Sequence, residues 1–266
     1  MAAEMMFVPL QFIKYTENVH TLLQMIHPCM DHLSVADFHN GVYDPDSDSF
    51  CLMDALEKEM PALYSQRAPK IVFDFGCGSG ILSAHSRLLI DRMQRENQQA
   101  NLCYLYSLDI NPFATRSTME AFRLNPASHA GSLPYEIIHG NITNRTFLQR
   151  FHGLADLILW NPPYVPSEAP SAETHTGQID YYHSDYACAG GEDGTDVIHA
   201  MFPTAVDLLS PSGSLYVLMI EQNNPQQTAD ALCARFELTR RVVFQRLSGE
   251  RYTIFRFQKR GGAILP

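Results

Sequence analysis

The chain has 266 residues, 45% of them hydrophobic, and carries 19 Lys and Arg against 29 Asp and Glu, a net charge of -10. That supports one large α/β domain with a small extension, and nothing requires a second core. The acidic balance excludes a general grip on duplex phosphates, which needs clustered Lys and Arg. A protein or a small molecule is the expected partner, and nucleic acid is not.

The six cysteines, Cys29, Cys51, Cys77, Cys103, Cys188 and Cys233, form no C-x-x-C pair, and no His cluster has zinc spacing. No metal site is expected, and the thiols read as reduced, in a cytoplasmic or nuclear protein. The apolar run Met5 to Ile13 lacks a basic flank and a cleavage site, and no stretch reaches membrane-spanning length. A soluble, unprocessed chain without membrane contact is therefore expected.

Residues 1–40 read as an N-terminal extension, helical around Val19, Leu22, Leu23 and Ile26, and residues 41–266 as the catalytic domain. Gly41 to Phe50 is acidic and turn-rich and leads into a helix through Leu52, Met53 and Leu56, with Asp48 or Ser49 as its expected cap. Taken alone, the stretch is a loop and an N-cap. Ile71 to Phe75 is a β-rich run followed at once by Gly76-Cys77-Gly78-Ser79-Gly80 and a helix through Ile81, Leu82, Ala84, Leu88, Leu89 and Met93. Strand, glycine turn and helix bring a ligand close to backbone N–H groups. The spacing D-x-G-x-G-x-G, with no phosphate-binding Lys after it, favours a nucleoside over a pyrophosphate.

Cys103 to Asp109 is the second expected strand, and Asp109 at its end is placed to accept ribose hydroxyls. Tyr135 to Asn141 is the third, ending in an amide within reach of an adenine edge. Leu154 to Trp160 is the fourth and delivers Asn161-Pro162-Pro163-Tyr164, where two prolines stiffen the strand exit. Val165 to Gly194 reads as a long lid or substrate-facing loop. A helix over Val197 to Leu209, a turn at Ser210 to Gly213, a strand over Leu215 to Ile220 and a helix from Pro225 to Leu232 follow. The hairpin of Leu238 to Phe244 with Arg251 to Phe257 closes the chain. Alternating strands and helices with this hairpin predict a mostly parallel sheet with an antiparallel edge.

Together the glycine turn, the strand-end acid and the amide-proline-proline-aromatic exit resemble the class I methyltransferases that use S-adenosylmethionine and release S-adenosylhomocysteine. The resemblance covers Gly41 to Phe257 and implies a seven-stranded Rossmann-like fold. It implies that Asp74, Gly76, Gly78 and Gly80 form the cofactor turn, that Asp109 is the ribose acid with Ile110 also at the cofactor, and that Asn141 and Ile142 meet the adenine. Many relatives carry Asp where Asn141 stands, and an Asn side-chain carbonyl can still accept from the adenine amine. Asn161, Pro162, Pro163 and Tyr164 resemble the motif of enzymes that methylate a planar nitrogen, with Asn161 also beside the cofactor.

Three further stretches, Tyr43 to Phe50, Ala189 to Gly194 and Ile220 to Pro225, are similar to those of the eukaryotic HemK-like protein glutamine methyltransferases. That resemblance implies that Tyr43 and Ser49 cover the cofactor, and that the substrate is the glutamine of the Gly-Gly-Gln loop in the class-1 translation termination factor, alone or with its GTPase partner. It also implies a small zinc-binding activator subunit pairing with the edge from Leu133 to Ile138. The alternatives are an N6-adenine methyltransferase on DNA or RNA, a protein lysine methyltransferase, and a methyltransferase-like binding module without turnover.

Overall fold

The computed structural model describes residues 25–128, 133–168 and 187–261. Val19, Leu22 and Leu23 of the expected N-terminal helix lie outside them, as does the middle of the loop after Val165, whereas Ile26 is described and sits in irregular chain.

Alternating side chains build the sheet. In β1 (Ile71–Phe75) and β4 (Ala155–Trp160), Val72, Leu157 and Leu159 face one layer while Phe73, Phe75, Ile158 and Trp160 face the other. Both faces are covered, which is why these strands read as nearly unbroken apolar runs. The remaining strands are β2 (Tyr104–Asp109), β3 (Tyr135–His139), β5 (Leu209–Ile220), β6 (Leu238–Ser248) and β7 (Glu250–Lys259). They assemble in the order β3-β2-β1-β4-β5-β7-β6, with β7 antiparallel to both neighbours. The seven-stranded, mostly parallel sheet with an antiparallel C-terminal hairpin is the expected one.

The helices are α1 (Val35–His39), α2 (Ser47–Gln66), α3 (Ile81–Glu96), α4 (Pro112–Leu124), the one-turn α5 (Arg145–Leu148), α6 (Asp196–Leu208) and α7 (Pro225–Phe236). Residues of α2 and α3 pack on one face of the sheet, residues of α6 and α7 on the other. Two helix starts follow directly from sequence. Asn111 Oδ1 accepts from Phe113 N at 2.9 Å with Pro112 at the first helical position, and Pro225 holds the same position in α7.

Two local expectations are corrected. Ser210 to Gly213 is not a turn ahead of the strand but part of β5, because Ala155 pairs with Leu209 and Leu157 with Ser214, and the extra residues are absorbed as an irregularity in the ladder. The helix cap is Asp46, whose Oδ1 accepts from Ser47 N at 2.6 Å, so Asp48 and Ser49 lie inside the first turn of α2. The strand order reverses direction at β1, which has β2 on one side and β4 on the other. A crevice at the carboxyl ends of these strands is where open α/β sheets take ligands.

Candidate active site

Asn161 leaves the sheet from β4, and its amide is held from one side only. Nδ2 donates to Asp48 Oδ2 at 2.8 Å, while Oδ1 is buried with no hydrogen-bond partner. The same Asp48 oxygen accepts from Tyr43 OH and from Tyr164 OH, each at 2.9 Å. A carboxylate accepts and an amide NH2 donates, so Asp48 fixes which end of Asn161 points away from it. The carbonyl oxygen is left for a ligand. A buried acceptor without a donor costs about 1–3 kcal/mol, a cost that a ligand N–H removes.

Asp48 is 1% exposed and sits where the partial positive charge of a helix start favours an anion. Burial, and next the charge of Asp48, push the phenols of Tyr43 and Tyr164 well above their ordinary value. Both stay protonated donors and neither is a base. By sequence Asp48 reads as a cap, because it is one of three alternating acids, Asp44, Asp46 and Asp48. Only the fold shows which of the three turns inward.

The glycine turn forms the opposite wall. Gly76 has φ +66, and a Cβ there would meet nothing within 4 Å, so it borders open space that a ligand can fill. Gly80, with φ +86, serves packing instead, since a Cβ there would lie 2.6 Å from Thr118 Cα and hold α3 away from α4. Asp109 braces the turn from β2, its Oδ2 accepting from Gly78 N at 2.9 Å and its Oδ1 from Asn111 N at 2.8 Å. The carboxylate itself stands in the crevice wall.

Asp74 lies beneath the turn and outside the crevice lining. Ser83 Oγ donates to its Oδ2 at 2.5 Å, and its Oδ1 has no partner. Burial pushes its pKa from 3.8 up to about 7, with the Ser83 bond opposing and the Asp109 charge adding. Because the folded value lies above the unfolded one, the contribution to stability is full below pH 3.8 and is lost as pH rises to about 7. Asp74→Asn should therefore reduce the fall in stability across that interval, as read by urea unfolding at several pH values. An unchanged slope would contradict the assignment.

Tyr43, Ser49, Gly76, Gly78, Asp109, Ile110, Asn141, Ile142 and the whole of Asn161 to Tyr164 line one crevice, together with Asp48. The crevice is open to solvent and, mouth included, takes in about 1150 Å³. At Asn141, Oδ1 accepts from Thr143 N and Thr143 Oγ1, both at 2.8 Å. Those two bonds build a local turn that holds Asn141 at the crevice wall.

Behind the site, Asn223 ties three stretches together. Its Nδ2 donates to Tyr164 O at 2.8 Å and to Asp193 O at 3.0 Å, and its Oδ1 accepts from Ile220 N at 2.8 Å. The ends of the long loop pair beside it, with Val165 N donating to Cys188 O at 2.8 Å and Gly190 N to Val165 O at 2.9 Å. Gly194 has φ +75 and sits so close that a Cβ would be 2.0 Å from Tyr164 O. Gly194→Ala should cost about 3 kcal/mol or more and displace Tyr164, as measured by chemical unfolding together with transfer assays. Wild-type stability in that variant would show that the contact is not needed.

The sheet order, the glycine turn braced by a second-strand acid, and an amide aimed into the crevice make this a class I methyltransferase. No family model matches the chain. It is 31% identical over 232 residues to "Methyltransferase HEMK2" of Mus musculus, covering 87% of this chain and 96% of the mouse protein. It is also 27% identical over 244 residues to "eRF1 methyltransferase catalytic subunit mtq2" of Schizosaccharomyces pombe, covering 89% and 97%. Among solved structures, the E. cuniculi Mtq2-Trm112 complex aligns with a TM-score of 0.48 at 23% identity, over 82% of this chain and 98% of the other. The chain belongs to the HEMK2 methyltransferase family, the eukaryotic branch of the HemK-like enzymes.

Proposed function

We propose that the protein methylates the side-chain amide nitrogen of the glutamine in the Gly-Gly-Gln loop of the class-1 translation termination factor. The observation that carries this reading is the unpartnered Asn161 Oδ1, held facing the crevice by the Asp48 bond to Nδ2. S-adenosylmethionine, the methyl donor, supplies an electrophilic methyl group on a sulfonium. The residues of this chain must then place a poor nucleophile, because the lone pair of an amide nitrogen is delocalised into its carbonyl. With one N–H on Asn161 Oδ1 and the other on the Pro162 carbonyl, the nitrogen is drawn toward a tetrahedral shape with its lone pair turned to the methyl. Positioning of this kind can supply several of the ~7–11 kcal/mol available from proximity. The S–CH3 bond would break as N–CH3 forms, leaving a neutral thioether, and the cationic nitrogen would then lose its proton to water, so no strong base is needed, in keeping with two phenols held protonated.

A lysine amine needs no paired acceptors, and the net charge of -10 speaks against a nucleic-acid substrate. A small zinc-binding activator subunit is the expected partner. Support comes from β3 standing at the sheet edge, with Tyr135, Tyr104, Met119 and Leu124 on β3, β2 and α4 each about 40% exposed. An open strand beside an apolar surface suits β-augmentation. Among the described residues no group of His, Cys, Asp or Glu could hold a metal. Among the same residues no helix is long and apolar enough to cross a membrane.

The test uses this chain co-expressed with the activator and offers labelled S-adenosylmethionine to the termination factor and to its Gln-to-Arg variant. Label on the wild-type factor alone is expected. Label on oligonucleotides with a blank factor would replace glutamine by adenine.

A further inference from the structure

Residues 26–40 follow α4 from its C-terminal cap, Asn125, to its N-terminal cap, Asn111, and are tied down along the way. Ile26 N donates to Glu57 Oε1 at 2.7 Å, and its carbonyl accepts from His85 Nδ1 at 3.1 Å. That imidazole is neutral, since burial pushes its pKa down to about 4. Cys29 is bonded through both backbone groups to the Asn125 amide, at 2.7 and 2.8 Å. Asn111 Nδ2 donates to Asn40 O at 2.8 Å, just before the chain enters the cover loop at Gly41. Between these ties, His32 Nε2 lies 3.1 Å from Ser117 Oγ and 3.3 Å from the carbonyl oxygen of Ser79.

The Ser79 carbonyl is part of the glycine turn, and what holds it decides the turn's shape. Ser117 Oγ donates to it at 3.1 Å, and Thr118 Oγ1 donates to Gly78 O at 3.4 Å. The single Ser117 hydroxyl proton is used there, so His32 Nε2 carries the proton it shares with that hydroxyl oxygen and the carbonyl. Two donors on one carbonyl fix the peptide between Ser79 and Gly80. The Gly80 N–H is committed to Cys77 O at 2.8 Å, and Gly80 takes its left-handed φ of +86. Ser79, Gly78, Cys77 and Gly76 all line the crevice.

We propose that His32 is a positioning residue for cofactor binding, the point at which the N-terminal segment locks the glycine turn in its ligand-binding shape. His32 is not among the residues that line the crevice. Its removal leaves a turn that must be ordered at the expense of binding, so affinity falls while the methyl-accepting side is untouched.

The experiment is calorimetric titration of S-adenosylhomocysteine into the full chain with its activator. His32→Ala should bind roughly five- to tenfold more weakly, and His32→Gln, which restores an N–H donor, should recover part of the loss. In steady state the KM for S-adenosylmethionine should rise by a similar factor, with kcat and the KM for the protein acceptor within about twofold. Asn125→Ala unties the same segment away from the turn; it should lower the melting temperature and leave affinity within about twofold. Affinity unchanged in His32→Ala, or weakened as much by Asn125→Ala, overturns the proposal. Should His32→Ala fail to fold, Ser117→Ala removes the other donor to the same carbonyl and is judged by the same criterion. Binding of the product is read without any acceptor, so the result stands whether or not glutamine is the substrate.

Discussion

Replacing Asn161 with alanine should abolish methyl transfer, lowering kcat roughly 100-fold or more while S-adenosylhomocysteine binding stays within about threefold. The size follows from what is lost. In the proposed mechanism Asn161 Oδ1 and the Pro162 carbonyl are the two acceptors that reshape the target nitrogen. Asn161→Asp is the sharper control, because it keeps an oxygen at the site but sets a second carboxylate beside Asp48. Its expected activity is also low, with added destabilisation from two like charges. Rapid-quench single-turnover assays with saturating cofactor separate these effects from slow product release. Turnover near the wild-type rate in Asn161→Ala would remove Asn161 from the chemistry.

The second large effect is at Asp48. One carboxylate oxygen accepts three hydrogen bonds, from Tyr43, Tyr164 and Asn161. In Asp48→Ala all three donors lose their partner within a buried network, which should cost about 3 kcal/mol or more of stability. The Asn161 amide is then free to flip and offers its NH2 to the substrate about as readily as its carbonyl, so kcat should fall roughly 10- to 100-fold. Asp48→Asn keeps one acceptor at the same place and should fold better than it turns over. Urea unfolding and single-turnover rates, measured on both variants, test the two roles apart. A variant that loses stability but transfers methyl at the wild-type rate would make Asp48 a scaffold residue only.

The contrast between these two residues shows what the sequence makes legible. Asn161 is visible because an apolar strand ends on it and two prolines follow, in a chain that also supplies a glycine turn and a strand-end acid; alone, the four residues read as a strand-ending turn. Asp48 is hidden because its importance lies in three partners, 5, 113 and 116 residues away in the chain, and two neighbouring acids carry the same local signal. Gly80 and Asp74 belong to the glycine motif, yet one packs helix against helix and the other lies under the turn. The motif's letters do not separate those roles from ligand contact. The turn at Asn141 has a local signal: Thr143, two residues on, is the partner that holds its side-chain carbonyl. The mostly parallel sheet with its antiparallel edge follows from the alternation of strands and helices and the closing hairpin, whereas the irregular start of β5 does not, since Ser-Pro-Ser-Gly reads as a turn wherever it stands. His32 carries no signal at all, because its partners are a backbone carbonyl and one serine among many.

The most direct test of the central claim is fragmentation mass spectrometry of the termination factor after incubation with S-adenosylmethionine and the enzyme–activator pair. One added methyl group is expected, on the side-chain amide of the glutamine in the Gly-Gly-Gln loop, and none when Asn161→Ala enzyme is used. A methyl found on a lysine, or on any residue outside that loop, would contradict the assignment of glutamine as the acceptor.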